Sequence, residues 1–375
     1  MYSVAGYGQM ISDAVRMDAY ADALRRSVKP GAVVVDIGTG TGIFAMLACR
    51  YGARKVFAIE PSDSIQVARE IAQANGLADT IEFIQAKSTE VDLPERADVI
   101  VSDLRGILPF HQHHIPAIAD ARLRMLAPGG VLIPQRDSIW VTCVEARKSY
   151  EKIARPWVGN DYGLNMQAAM LLVTSQWSST TVKADQMVTG AGRLGTLDYT
   201  TVVEPDFAGA AELIATRAGA AHGLCVWFDA HLIEGVNFTN APGSPGLIYG
   251  RAYFPWPQPL ELRTGDAVAV ALKADLVGDD YLWRWETHVE GKVAFKQSSF
   301  FAEPLSLSRL RKTAASHVAS LNEDGIIDQL SLELMREGKS LGDIARQLAA
   351  RFPRRFARWQ DALTHVGELS AKYSR

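Results

Sequence analysis

The segment Val35-Asp36-Ile37-Gly38-Thr39-Gly40-Thr41-Gly42 limits what this chain can become more than any other feature. A short apolar run meets a carboxylate, three glycines follow at alternate positions, and helical spacing begins at Ile43. Glycines there let the backbone turn sharply and approach a ligand that a Cβ would push away. The unit repeats. Residues 33–37, 56–59, 81–84 and 99–101 are apolar runs, and 43–51 and 65–75 carry helical spacing between them. Strands alternating with helices predict right-handed crossovers and a parallel sheet covered on both faces. Ala127-Pro128-Gly129-Gly130 is expected to stop a helix before a further run at 131–133.

The texture changes near residue 139. Runs at 139–144, 225–228, 267–272 and 281–285 are β-rich and separated by Gly, Pro and Asn, which predicts a β-barrel or sandwich. Residues 155–182 interrupt it with Trp157, Tyr162, Leu164 and Met166 and read as an arm. From residue 307 the pattern is helical: Leu334, Leu341, Ile344, Leu348 and Phe352, then Phe356, Trp359, Leu363 and Val366. Nine basic residues face four acidic ones between 336 and 375. The expected domains are 1–138, 139–306 and 307–375.

Composition narrows the classes. Of 375 residues, 48% are hydrophobic and 22% charged, which excludes a disordered chain or a fibre. Lys+Arg is 39 against Asp+Glu 42, so no global basic field draws the chain to nucleic acid or an anionic membrane. No stretch is apolar enough to span a bilayer. Cys49, Cys143 and Cys225 form no metal spacing, and reduced thiols in a cytoplasmic setting are expected. Residues 1–8 lack a basic region followed by an apolar run, so no secretory leader is expected.

Glu60 ends the second run, 22 residues after Gly38, where an acid can accept both hydroxyls of a ribose. A dinucleotide fold places its third glycine at position 43, to seat a pyrophosphate on the helix start. Here Ile43 stands there and Gly42 is the third glycine. The compressed pattern suits a cofactor without phosphates, packed by its amino-acid moiety with Asp36 facing the ammonium. S-adenosyl-L-methionine fits that description, with Asp36, Gly38, Gly40, Gly42 and Glu60 as its binding residues.

From about residue 2 to 305 the chain resembles the protein arginine methyltransferase family. The stretches 42–48 and 52–60, Leu126-Ala127-Pro128-Gly129-Gly130, Ile133-Pro134, Val141-Thr142 and Arg263-Thr264-Gly265-Asp266 carry the resemblance. It implies an α/β, Rossmann-like parallel-sheet methyltransferase domain, then a β-barrel domain with a dimerisation arm near 155–182, in a head-to-tail homodimer. Tyr2, Tyr7 and residues 10–16 are similar to the family's cofactor-covering helices. By that similarity Arg16 holds the cofactor carboxylate, as a guanidinium fork can, and Met10 shapes the methyl-transfer pocket. Ser88 falls where the family's backbone meets the adenine, and Thr89 where the family often carries an acid.

The family's loop after the fourth strand has two glutamates that neutralise and orient a guanidinium. Here the loop reads Ser102-Asp103-Leu104-Arg105-Gly106-Ile107-Leu108-Pro109-Phe110-His111-Gln112. Asp103 takes the first Glu position, neutral Gln112 the second, and Arg105 adds a positive charge. Leu247-Ile248-Tyr249 stands at the family's Thr-His-Trp element. The candidate catalytic residues are Asp103, His111, Gln112 and Arg105, with His111 first as general base because imidazole titrates near neutrality. A metal at His111, His113 and His114 ranks last, since no Cys or acid spacing completes it. The altered loop is compatible with a neutral or anionic nucleophile or with a diverged arginine site.

The tail at 334–348 resembles the small winged-helix peptide-binding (PqqD-like) domain of ribosomal peptide natural product pathways, which implies leader-peptide recruitment. A DNA-binding helix-turn-helix, with Arg351, Arg354, Arg355 and Arg358 on phosphates, and a helical cap on the barrel are its rivals. The expected function is S-adenosylmethionine-dependent methyl transfer to a peptide or protein side chain, arginine included. The alternatives are a small-molecule methyltransferase and a silent, cofactor-binding partner subunit.

Overall fold

The computed structural model describes residues 3–159 and 162–374, so Tyr2 of the covering stretch lies outside the described residues. The chain divides into two compact units, Met1–Pro304 and Leu305–Arg375.

The first unit opens with helices α1 (Val4–Ser12) and α2 (Ala14–Ser27). Asp13 sits between them and caps α2 by accepting the Arg16 N–H. Then come β1 (Val33–Ile37), α3 (Ile43–Arg50), β2 (Lys55–Ile59), α4 (Ser64–Ala74), β3 (Ile81–Ile84), β4 (Ala97–Ser102), α5 (His114–Arg124) and β5 (Leu126–Ile133). The five strands form a parallel sheet in the order β3-β2-β1-β4-β5. All five residues of β1 are buried, as a Val-rich strand covered on both faces should be. β1 and β4 are neighbours although far apart in sequence, so the winding reverses between them. Outside the carboxyl ends of strands at such a reversal lies the crevice where open α/β sheets bind ligands. Ile37 pairs with Ile59 on one side and with Ser102 on the other. The glycine loop, Glu60 and Asp103 therefore leave the sheet side by side.

Residues 127–130 differ from expectation. They lie inside β5, and α5 has already ended at Arg124. The pairing of β5 with β4 shifts register between Ala97 and Val99, the kind of irregularity at which a strand tolerates Pro and Gly.

The chain continues as β6 (Arg136–Val144), α6 (Arg147–Val158), α7 (Met170–Thr174), β7 (Ser178–Thr180), β8 (Gly192–Asp198), β9 (Phe207–Ile214), β10 (Gly219–Ile233), β11 (Val236–Thr239), β12 (Arg251–Leu262), β13 (Ala267–Val277), β14 (Asp280–Val289) and β15 (Val293–Ser298). These strands make two antiparallel sheets, β7-β12-β10-β6-β8 with β11 on β10, and β15-β14-β13-β9. No ladder joins the two sheets among the described residues. Alternation sets their inner faces: Val268, Val270, Leu272 and Ala274 of β13, and Tyr281, Trp283 and Trp285 of β14, are buried. The indole of Trp256 donates to the Thr287 hydroxyl at 3.1 Å and that of Trp285 to Gln297 Oε1 at 2.9 Å, so neither N–H is stranded in the core. The excursion at 155–182 takes in the end of α6 and all of α7, and returns as edge strand β7 on β12.

The second unit has α8 (Leu307–Lys312), α9 (Glu323–Arg336), α10 (Leu341–Arg351) and α11 (Trp359–Tyr373). Ile327, Leu334, Ile344, Leu348, Phe356, Ala362 and Val366 form its own core. Gly338, at φ +77°, ends α9, and the Ser340 side chain caps α10 by accepting the Asp343 N–H. Among its described residues there is no strand. A winged helix needs a hairpin wing, so that expectation is corrected to a purely helical unit.

Candidate active site

The glycine loop owes its course to left-handed backbone. Gly38, Gly40 and Gly42 have φ of 71°, 55° and 86°. A Cβ on Gly38 would run into Leu104, and one on Gly40 into Tyr7 of α1. The loop is thus covered by the first helix on one side and by the segment after β4 on the other. Buried Glu60 fixes it: one carboxylate oxygen accepts the Gly40 N–H at 3.1 Å and the other the Ser62 N–H at 2.9 Å. Asp36 Oδ2 accepts the Thr39 hydroxyl at 2.5 Å and the Ala45 N–H at 3.0 Å, while Oδ1 is buried with no hydrogen-bond partner. Burial, and secondarily the Glu60 charge, push the Asp36 carboxyl up to about 7 against the pull of those two donors. Ser88 is buried, and Thr89 beside it is exposed.

Asp103 lies across the crevice at the centre of a buried charge cluster. Its Oδ2 accepts Arg16 Nε at 2.6 Å and the Tyr249 hydroxyl at 2.5 Å. Its Oδ1 has no hydrogen-bond partner and faces Arg105 Nε at 3.7 Å. Arg16 also donates from Nη1 to the Met10 carbonyl at 3.3 Å. Asp13 accepts the Ile248 N–H at 2.8 Å, which ties the start of α2 to the segment carrying Tyr249. Burial would raise the Asp103 carboxyl, but Arg16 and Arg105 outweigh it and hold it below the usual range.

The Arg105 side chain is wholly buried. Nη2 donates to the Tyr20 hydroxyl at 2.7 Å, and Nε lies 3.4 Å from Asp137 Oδ2. Its guanidinium carbon sits 5.9, 5.3 and 5.4 Å from the ring centres of Tyr20, Phe228 and Phe238. Asp137 Oδ2 accepts the Tyr199 hydroxyl at 2.6 Å, and His114 Nε2 lies 3.0 Å from the same hydroxyl, so His114 is the donor there. Burial, helped by the Arg105 charge, depresses His114 to about 3. Burial also raises Asp137, with Arg105 opposing.

Residues 34–130 match the Methyltransferase domain family, and residues 135–281 the Arginine methyltransferase oligomerization subdomain. The chain is 30% identical over 301 residues to protein arginine N-methyltransferase PRMT10 of Oryza sativa subsp. japonica, covering 70% of this chain and 78% of the relative. The chain belongs to the protein arginine N-methyltransferase family. Protein arginine N-methyltransferase 1 of Dictyostelium discoideum is 28% identical over 268 residues, covering 69% of this chain and 78% of that one. Among solved structures, the Trypanosoma brucei PRMT1 enzyme-prozyme heterotetrameric complex with AdoHcy matches 78% of this chain and 96% of its own, with a TM-score of 0.73 and 28% identity. Arabidopsis thaliana protein arginine methyltransferase 10, at 22% identity and a TM-score of 0.68, shares the fold.

The chain is accordingly an S-adenosylmethionine-dependent methyltransferase with a Rossmann-like domain followed by an antiparallel-sheet domain. The residues present suit that cofactor. The loop has no Cβ where the backbone must be approached, and Asp36 Oδ1 is a buried acceptor lacking a donor.

Beyond the glycine loop, the far side of the crevice is occupied by charged side chains of this chain. Arg16, Asp103 and Arg105 converge there, and Met10 joins through its carbonyl. Gln112 does not: it is exposed, at a positive φ of 44°, outside this hydrogen-bond network. His111 packs on Gly106, where an added Cβ would lie 3.1 Å from the ring, and burial lowers its pKa. His113 and His114 turn to other partners, Asp279 and Tyr199. Sequence reasoning missed Tyr20, Asp137, Tyr199 and the part played by Tyr249. The only local signal was Tyr249 standing within the replaced Thr-His-Trp element.

Proposed function

We propose that this enzyme methylates a side chain of a peptide or protein delivered to Asp103. The reading is carried by one juxtaposition: Ile37 and Ser102 pair across β1 and β4, so the glycine loop and Asp103 open onto one crevice. The names of the relatives, protein arginine N-methyltransferases, support a polypeptide acceptor. Glu60 would hold the ribose, Asp36 the ammonium, Arg16 the carboxylate, and Gly38, Gly40 and Gly42 the amino-acid moiety. Met10 would lie beside the sulfonium, and Ser88 and Thr89 beside the adenine. The bound cofactor supplies an activated methyl group. The protein orients the acceptor and excludes water. Asp103 Oδ1, a buried oxygen without a donor, accepts the proton that the acceptor gives up. His111, neutral through burial, would relay that proton outward, while buried Arg105 would shape the floor of the site and exposed Gln112 its entrance.

Finer assignments belong to the same reading. The match to an oligomerization subdomain supports a homodimer made through the arm at 155–182, where Val158 and Leu171 are exposed. The basic helical unit would recruit the peptide. Three free cysteines suit a cytoplasmic enzyme. Transfer of a radiolabelled methyl group into the peptide and protein fraction of a lysate tests the proposal. Signal that disappears with Asp103→Ala, while S-adenosylhomocysteine binding persists, supports it. Label confined to small molecules, or full transfer by Asp103→Ala, refutes it.

A further inference from the structure

Two guanidiniums, Arg16 and Arg105, and two carboxylates, Asp103 and Asp137, meet in buried surroundings across the crevice from the glycine loop. No other carboxylate pairs with either arginine among the described residues. Burial keeps the hydroxyls of Tyr20, Tyr199 and Tyr249 protonated and His114 neutral, and Gln112 is exposed and uncharged. The chain therefore supplies two anions for its own two cations and no counter-ion for an arginine acceptor. On the reading that places the acceptor at Asp103 and the cofactor's carboxylate on Arg16, we propose that this carboxylate is the missing counter-ion, so that cofactor and arginine acceptor bind cooperatively.

Arg16 has donors for both groups at once. Its Nε donates to Asp103 Oδ2 at 2.6 Å and its Nη1 to the Met10 carbonyl at 3.3 Å, while Nη2 has no hydrogen-bond partner among the described residues. The guanidinium is a planar fork with five N–H groups, so a carboxylate on Nη2 leaves Nε on Asp103. In the loaded site three carboxylates, those of Asp103, Asp137 and the cofactor, then face three guanidiniums, those of Arg16, Arg105 and the acceptor. The cofactor's ammonium cancels against Asp36 on the same reading, so its carboxylate is the net addition. Asp103 Oδ1, buried and without a donor, takes an N–H of the acceptor in either case. Without the cofactor's carboxylate that acceptor is a third cation over two anions, and an uncompensated buried charge is strongly unfavourable. Coupling of this kind is reciprocal: the factor by which one ligand tightens the other is the same in both directions.

The test uses two randomised peptide pools that differ only in a fixed central residue, arginine or its neutral isostere citrulline. Both are passed over the immobilised full chain, saturated either with S-adenosylhomocysteine or with its decarboxylated analogue, which lacks only the carboxylate. Saturation is checked by calorimetry and retention is quantified by mass spectrometry. The arginine pool is expected to be retained about tenfold or more better with S-adenosylhomocysteine, equivalent to about 1.4 kcal/mol, and the citrulline pool alike in both states. If the analogue does not saturate the site, the comparison state is the cofactor-free chain at pH 6, below the value of about 7 at which Asp36 ionises. The best-retained arginine peptide, made singly, should tighten S-adenosylhomocysteine by the same factor and leave the analogue's affinity unchanged. Equal retention of the arginine pool in the two states, a difference shared by the citrulline pool, retention of neither pool, or no reciprocal effect overturns the inference. Asp103→Asn, its folding judged by S-adenosylhomocysteine binding, separates the two layers. If it retains the arginine pool as the wild type does, the placement of the acceptor at Asp103 has failed; if it loses the pool while the wild type shows no dependence on the carboxylate, only the counter-ion has failed.

Discussion

Cofactor affinity should depend on pH through Asp36. The carboxyl is fully buried, its Oδ2 is held by Thr39 and Ala45, and its Oδ1 has no donor. Burial pushes it up to about 7, so in the free enzyme at pH 5.5 only about 3% is ionised. On the proposed pairing of the cofactor's ammonium with the ionised form, binding below pH 7 must expel a proton. Between pH 5.5 and 7.5 the ionised share rises about 25-fold, worth about 2 kcal/mol of affinity. The sign is fixed: affinity rises with pH and levels off above 7. Titration calorimetry with S-adenosylhomocysteine in two buffers of different ionisation enthalpy reads both quantities. Close to one proton should be released at pH 5.5, and Asp36→Asn should bind weakly with no pH dependence. A dissociation constant flat across that window in the wild type, or a binding enthalpy independent of the buffer, would refute the pairing of Asp36 with the ammonium.

His114 gives a stability signature. Its folded pKa of about 3 lies below the unfolded value of about 6.5, so the unfolded chain takes up the proton first as pH falls. Stability from this group is nearly complete above 7 and drains away toward 3, by about 2 kcal/mol between pH 7 and 5. Urea unfolding of wild type and His114→Gln at pH 7 and 5 should show their difference in stability shrink by that amount; titrations of Asp36 and Asp137 cancel in the comparison. A difference that stays constant would contradict it. Deleting residues 305–375 should leave Met1–Pro304 folded, because each unit has its own apolar core. S-adenosylhomocysteine affinity should be unchanged and the Michaelis constant for a peptide substrate several-fold higher; an unaltered value would remove the tail from substrate capture.

The glycine loop and the acid beyond β2 were legible because their determinants are local. Asp36, Gly38, Gly40, Gly42 and Glu60 span two adjacent βα units, and the pairing of Ile37 with Ile59 follows once neighbouring strands are parallel. The charge cluster around Asp103 was only half legible. Asp103 and Arg105 stood out because carboxylate and guanidinium share one short loop. Nothing local marked Asp137, Tyr199 or Tyr20. The winged helix failed because capped helices around Gly338 are common to many helical units, and only strand pairing would have made a wing.

The amino-acid order alone determined a parallel sheet with a phosphate-free glycine turn, since side-chain size and backbone freedom act within a few residues. The tertiary structure decided which charges meet. Arg16 reaches Asp103 across 87 positions, and Tyr249 reaches it across 146. Whether a buried carboxylate is free for a substrate or already satisfied depends on those long-range partners. Electrostatic pairing inside a protein is a matter of a few ångströms in space, and separation along the chain carries no record of it.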